Sequence, residues 1–122
     1  MGSPCPARKY DLEDRCLAFS KSVRMLIKKL PFTLGNREDG KQLLRSSASV
    51  GANYIEANEA LGKKDFVYRI RICRKEAKES SYWLNLIDIG NQANLEPIRG
   101  RLIQESVELL KIFSAIMRKC TV

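Results

Sequence analysis

Two pairs of carboxylates have the spacing that acid–base or metal chemistry requires. Glu56 precedes Glu59 and Glu76 precedes Glu79 by three positions, so each pair would lie on one face of a helix. Bundles that hold two metal ions use Glu-x-x-His motifs, but this chain of 122 residues contains no histidine. We therefore expect these carboxylates to form salt links with Lys and Arg residues three or four positions away.

The absence of histidine also removes the commonest general base, the Ser–His and Cys–His catalytic pairs and His-containing zinc sites. The four cysteines are scattered without C-x-x-C spacing, so neither a zinc site nor a thioredoxin-type motif is present. Gly51 lies inside a helical pattern, and Gly62 lacks the preceding glycine of a phosphate-binding P-loop. We therefore expect a protein that is not an enzyme and that holds no metal and no cofactor.

The basic residues are the part of the sequence that points to a particular function. The chain carries 22 Lys and Arg against 14 Asp and Glu, a formal net charge of +8. Many of the cations between residues 63 and 78 fall in one narrow arc at helical spacing, where they repel one another and a polyanion would relieve the repulsion. The alternative is a solvated face that is basic for solubility. If nucleic acid binds, we expect backbone- and shape-directed contacts from Lys63, Lys64, Arg71, Arg74, Lys75 and Lys78.

Aromatic and apolar residues around this arc leave two questions open. Tyr68 and Tyr82 lie near the cations, but the sequence does not favour stacking on bases over packing for either ring. Ile72, Trp83 and Leu86 fall off the main apolar stripe of the same segment, which indicates either a wide buried face or a partner surface.

Apolar side chains recur at i, i+3 and i+4 spacing through four long segments, which predicts that these segments are helices. These helices would position the residues described above. Short connections between long amphipathic helices predict an all-α fold, an up-down-up-down antiparallel four-helix bundle. Residues 32–38 are predicted to form a loop. The predicted helices run from about Asp11 to Pro31, from about Asp39 to Leu61, from the break at residues 62–65 to about Gly90, and from Pro97, as its N1 residue, to about Lys119.

The length suits one domain. Residues 1–9 contain two prolines and no periodic pattern and are predicted to be a flexible N-terminal tail, followed by a single bundle domain over residues 10–120. No apolar run approaches the roughly 20 residues of a membrane span, and the first residues lack the apolar region of a signal peptide. We expect a cytoplasmic protein with reduced cysteines and no membrane contact.

The middle of the second segment is unusual because it carries no charge from Ser46 to Ile55, in a chain that is 30% charged. A helix with one buried face should show Lys or Glu on its other face, so this helix is predicted to be packed on both sides. Either it is the central helix of one bundle, or it forms a subunit interface. Together with the apolar residues of the third segment, this pattern favours homo-oligomerisation.

Residues 42–56 follow the pattern Q-x-x-R-S-x-x-S-x-x-x-N-x-x-E and continue through Lys63-Lys64-Asp65-Phe66 to Glu76-Ala77-Lys78-Glu79-Ser80 and Tyr82-Trp83-Leu84. This string resembles the bacterial four-helix-bundle family encoded in intervening sequences of large-subunit ribosomal RNA genes. The accessory protein of diversity-generating retroelements is a relative of that family. The resemblance covers most of residues 10–118 and is densest over 42–84. Where many members carry Glu-Gly after the asparagine, this chain has Glu56-Ala57-Asn58-Glu59.

The resemblance implies an up-down bundle that assembles as a homopentamer with a basic surface, and no catalytic activity is established for the family. It also implies that Ser46, Ser49, Asn53 and Glu56 are structural residues that tie helices together. The retroelement relative binds nucleic acid and a reverse transcriptase.

The function that we predict is that of a non-catalytic, oligomeric RNA- or DNA-binding bundle, with Lys21, Arg24 and Lys28 of the first helix assisting the cations of the third. The alternative is a protein-interaction scaffold, or an accessory subunit for a nucleic-acid enzyme such as a reverse transcriptase.

Overall fold

The computed structural model describes the backbone of residues 6–121 and the side chains of residues 12–120. Within that range the fold is all-α, as predicted, with no strand. Residues 1–5 of the predicted tail lie outside the described residues, and the first helix begins before the predicted start at Asp11. The helices are α1 (Pro6–Lys29), α2 (Leu34–Asn58), α3 (Lys63–Leu86) and α4 (Leu95–Thr121).

Each helix packs against two others. The contacting pairs are α1 with α2, α2 with α3, α3 with α4, and α1 with α4, so α1 and α3 face each other only across the diagonal. Gln92, which follows α3, donates a hydrogen bond from Nε2 to the carbonyl oxygen of Lys29 at the end of α1, at 2.8 Å. The end of α3 therefore lies beside the end of α1, which confirms the up-down-up-down arrangement.

The core is built from the predicted apolar stripes. Phe19, Leu43, Ile70 and Phe113 come from the four different helices, and all are buried. Burial of these side chains is the main stabilising contribution to such a bundle. None of the described helices contains an apolar stretch that could cross a lipid bilayer.

The second helix is enclosed on two sides, as its uncharged middle predicts. Ser46 and Ser47 are buried, and α1 and α3 both pack against α2. A Cβ placed on Gly51 would lie 3.2 Å from the Cβ of Cys16, so the glycine lets α1 approach the α2 backbone closely. The central-helix interpretation therefore accounts for these residues, although the side chain of Ile55 remains 53% exposed.

The predicted loop over residues 32–38 is wrong, because α2 begins at Leu34. Thr33 is its N-cap, and its Oγ1 accepts a hydrogen bond from the backbone N–H of Asn36 at 3.0 Å. That bond satisfies one of the free amides of the first turn, so Gly35 and Asn36 are held in the helix. The fourth helix likewise begins at Leu95, before Pro97, since a proline in the first turn removes no intrahelical hydrogen bond.

The two connections at one end of the bundle are joined by Asn36. Its Nδ2 donates to the carbonyl oxygens of Pro31 and Asp88 at 3.0 and 2.7 Å, and its Oδ1 accepts from the Asp88 N–H at 2.9 Å. Gly90 follows in the left-handed region, with a φ of 64°. A Cβ at Gly90 would lie 2.8 Å from Cγ of Pro31, so both the backbone and the packing require glycine there.

We predict that Gly90→Ala lowers the free energy of unfolding by about 2 kcal/mol, through the left-handed backbone and the contact with Pro31. Gly100→Ala is the matched control, because Gly100 lies in α4 with open space around its Cα, and alanine should stabilise the helix by up to about 1 kcal/mol. Urea unfolding measures both changes. Equal effects of the two substitutions would contradict the prediction.

Candidate nucleic-acid interface

The exposed face of α3 carries a continuous row of basic and aromatic side chains. Its members follow one another at i+3 or i+4 spacing, all are exposed, and the row extends for about 27 Å along the helix. Because the spacing keeps them opposite the buried residues Cys73 and Ala77, they face away from the core. We call this row the α3 stripe, and it consists of Lys64, Tyr68, Arg71, Lys75, Lys78 and Tyr82.

An open groove of about 940 Å³ borders the stripe where α3 meets α4. Leu110 and Ser114 of α4 line it, and Arg74, which is half-buried, lies on its α3 side. The structure thus brings four of the predicted site residues together at one groove, while Lys63 and Lys64 lie apart in the first turn of α3. The groove is lined on the α3 side by Arg71, Arg74, Lys75, Lys78, Glu79 and Tyr82.

Among the described residues, none of the predicted site cations forms an ion pair or a hydrogen bond through its side chain. Cations elsewhere do find acidic partners: Arg15 binds Glu105 with Nε to Oε2 at 2.7 Å, and Arg99 pairs with Glu96. No carboxylate of the described chain therefore forms an ion pair with the cations of the stripe and groove, although Glu79 also lines the groove.

Two carboxylates of α3 are held by a cation from another helix. Arg45 of α2 lies 3.3 Å from Glu76, whose side chain is only 8% exposed, and also pairs with Glu79. The expected salt links within one helix are thus wrong for both glutamates. Glu56 and Glu59 are exposed and form no ion pair with the described residues, so the expectation is also wrong for that pair.

The polar motif of α2 ties this helix to α3. The hydroxyl oxygens of Ser46 and Ser80 are 2.9 Å apart and buried, and Nη1 of Arg69 donates to Oδ1 of Asn53 at 3.0 Å. Ser49 contributes indirectly, because its carbonyl and hydroxyl oxygens accept hydrogen bonds from Nδ2 of Asn53. The structural role implied for these three motif residues is present in the structure.

Glu56 does not share that role. Its side chain is exposed and makes no hydrogen bond to the residues that the structure describes. The α3 partners of Arg45, Ser46 and Asn53 could not be identified from the sequence. The signal that was available is that these three residues lie on the same side of α2.

The described residues offer little to acid–base or thiol chemistry. Burial raises the pKa of the Cys16 and Cys73 thiols from 9.0 to about 12, so both are protonated at neutral pH. Because these thiols would ionise near pH 9 in the unfolded chain, their contribution to stability is lost as the pH rises from 9 towards 12. No group of three or more potential metal ligands occurs within the described part of the chain.

The three cations of α1 that were predicted to assist the site lie elsewhere. Lys21, Arg24 and Lys28 are exposed on α1, which is diagonal to α3, so the structure does not join them to the stripe.

Trp83 is partly buried and packs against the core, which supports the wide-buried-face interpretation, whereas Leu86 remains 48% exposed.

Comparison with known proteins agrees with this architecture. Residues 8–115 match the sequence profile of the 23S rRNA-intervening sequence protein family. The chain belongs to this family. The match includes all of the predicted site residues and the polar contacts between α2 and α3.

A solved member of the S23 ribosomal protein family has the same fold. It is a protein of unknown function from Bacteroides thetaiotaomicron, 32% identical to this chain, with a TM-score of 0.72. The alignment covers 86% of this chain and 96% of that one. No curated protein shows significant similarity to the chain.

For this member of the 23S rRNA-intervening sequence protein family, we predict that Arg45→Met lowers the free energy of unfolding by about 1–2 kcal/mol. The substitution leaves the buried Glu76 carboxylate without its cation, and the half-exposed position of Arg45 limits the loss. Lys41→Met is the matched control, because its pair with Glu38 is exposed and should contribute less than about 0.5 kcal/mol. If chemical denaturation gives the same loss for both variants, the role assigned to Arg45 is wrong.

Proposed function

We propose that the protein is a non-catalytic nucleic-acid-binding bundle, in which the cations of α3 contact phosphates of RNA or DNA. The observation that carries the proposal is the set of cations on one helix that have no acidic partner among the described residues. The proposed contact residues are Lys63, Lys64, Arg71, Arg74, Lys75 and Lys78.

The row of cations favours a chain of phosphates over a single small anion. Cations at i+3 and i+4 spacing repel one another, and a polyanion that spans the row relieves several of these repulsions at once. Phosphates also release condensed counterions when cations neutralise them, which gives a favourable entropy that depends on salt. Lys63 and Lys64 lie at the N-terminus of α3, where the helix dipole adds to their attraction for anions. Such contacts recognise backbone and shape rather than base identity.

We further propose that the protein works in the cytoplasm and as a homo-oligomer. The described cysteines Cys16, Cys73 and Cys120 are unpaired, as in proteins of reducing compartments. The exposed Ile55 at the end of the charge-free stretch of α2 offers an apolar contact for a second copy. The pentamer implied by the family resemblance is the assembly that we expect.

We predict that the triple variant Arg71→Glu, Lys75→Glu, Lys78→Glu binds structured RNA at least about tenfold more weakly and reduces the salt dependence of binding. Each lost phosphate contact should lower the slope of log K against log salt by about 0.7–0.9. Lys21→Glu, Arg24→Glu, Lys28→Glu is the matched control on α1, since either triple lowers the formal net charge from +8 to +2 (three changes of −2). Fluorescence anisotropy at several salt concentrations measures both.

Two results would reject this proposal. In one, the two triple variants lose affinity equally, so that only net charge matters. In the other, the wild-type protein does not bind nucleic acid, and purification yields a stoichiometric protein partner that survives nuclease treatment. The second result would favour the scaffold or accessory-subunit function, in which the same cations meet an acidic protein.

The oligomer makes a separate prediction. Light scattering should give five times the mass of one chain, and Ile55→Glu should reduce that mass because a charge at the contact would be buried unpaired. Leu61→Glu is the control, since Leu61 is fully exposed in the connection between α2 and α3 and should leave the mass unchanged. A monomeric wild-type protein at micromolar concentration would contradict both the oligomer and the role of Ile55.

A further inference from the structure

We infer that the α3 stripe binds unpaired, single-stranded nucleic acid, and that Tyr68 and Tyr82 are the platforms on which its bases stack. The inference rests on the proposed function, because it assumes that the cations of the stripe bind phosphates, and it adds the class of nucleic acid and two contact residues.

The two tyrosine rings are exposed although both belong to the helix that supplies much of the core. Tyr68 is 59% exposed and Tyr82 is 60% exposed. Core packing therefore does not account for either ring, and each has a surface open to a ligand. Exposed tyrosine rings offer a flat apolar face on which an unpaired base can stack.

Neighbouring side chains contact both rings. The indole ring of Trp83 lies against Tyr82 in an edge-to-face arrangement, with ring centroids 5.0 Å apart and an angle of 80° between the planes. The guanidinium carbon of Arg69 lies 5.9 Å from the centroid of Tyr68, and the same side chain is anchored to Asn53 of α2. Platforms whose positions are restricted in this way lose less conformational entropy when a base stacks on them.

The stripe offers the two kinds of contact that a polynucleotide can use, cations for phosphates and aromatic rings for bases. The tyrosines are about 21 Å apart along the helix axis, and Arg71, Lys75 and Lys78 lie between them. A strand that follows the row would place phosphates at the three cations and bases at the two ends. Leu110 provides an apolar surface in the adjacent groove, beside Tyr82.

Single strands fit this surface better than duplexes for two physical reasons. Bases in a duplex are stacked on one another, so their faces are not available to an aromatic side chain, whereas unpaired bases can stack on it. In addition, the phosphates of a duplex wind around its axis, while a flexible single strand can follow a straight row of cations. RNA and DNA share the chemistry involved, so both belong to the inference.

The test measures anisotropy with four labelled probes of equal length: single-stranded RNA, single-stranded DNA of the same sequence, its duplex, and an abasic single strand that keeps the phosphates without bases. We expect both single strands to bind at least about fivefold more tightly than the duplex and the abasic strand, because each stacked base contributes measurably. A duplex or an abasic strand that binds as tightly as the single strands would overturn the inference. So would tight binding by only one of the two single strands, since stacking does not distinguish their sugars.

Variants of the tyrosines give a second readout. Tyr68→Ala and Tyr82→Ala should each weaken single-strand binding at least about fivefold and leave the salt slope unchanged, because stacking releases no counterions. Tyr68→Phe and Tyr82→Phe keep the rings and should retain the wild-type affinity. The phenylalanine variants also keep the test valid if an alanine variant fails to fold. Loss of affinity in the phenylalanine variants would mean that the hydroxyl groups act, and it would overturn the stacking role.

The only tryptophan of the chain reports on one platform directly. A base that stacks on Tyr82 should change the fluorescence of the adjacent Trp83, and Tyr68→Ala should preserve that change when the strand is bound at saturation. An unchanged Trp83 signal at saturation would exclude Tyr82 as a platform.

The nucleic-acid-binding function and the stacking role of the tyrosines would be contradicted by different results. If the charge reversal on α3 abolishes binding of all probes but Tyr→Ala does not alter it, the nucleic-acid function stands and the stacking inference is wrong. If the charge reversal changes nothing, the proposed function fails as well.

Discussion

The charge on the outer face of α3 depends on the ion network in which Arg45 of α2 holds Glu76 and Glu79. Glu76 is nearly buried at the α2–α3 boundary, so its carboxylate requires a cation that reaches into that boundary. Lys75 and Lys78 are exposed on a different side of the helix, where water solvates their charges. Because α2 supplies the cation instead, Glu76 and Glu79 are paired without consuming the cations of α3. The carboxylates at the α2–α3 boundary are therefore paired, while the solvent-exposed face of α3 keeps its positive charge.

The helices could be predicted from the sequence because burial follows the 3.6-residue period directly. Cys73, Ala77 and Leu84 share one face at helical spacing, and all are buried. The start of α2 could not be found in this way, because a single side-chain bond from Thr33 decides it and the adjacent Gly35 favours a loop by composition. Helix ends are determined by local capping bonds with energies near 1 kcal/mol, whereas the stripes are determined by many buried side chains that act together.

The cations of the site could also be predicted, since a residue opposite the apolar stripe must face solvent. Their lack of acidic partners could not, because it depends on which helix supplies a cation to Glu76. That choice follows from the register between two antiparallel helices, which loop length and packing determine jointly. The contact between Asn53 and Arg69 depends on the same register. The exposure of Tyr68 and Tyr82 follows from the same position opposite the buried stripe, but their contacts with Trp83 and Arg69 depend on side-chain conformations that the pattern does not specify.

The polar contacts between α2 and α3 also fix the rotation of α3 about its own axis. Arg69 and Ser80 are separated by about three turns of the helix, and each is bonded to α2, so α3 cannot rotate without breaking contacts at two separated points. A rotation of one residue, about 100°, would turn stripe residues towards the interface and expose the apolar side of the helix. Hydrophobic packing alone tolerates small rotations, because apolar contacts are not directional. Hydrogen bonds are directional, and those made by Ser46 and Asn53 therefore determine where Tyr68, Tyr82 and the cations between them meet the solvent.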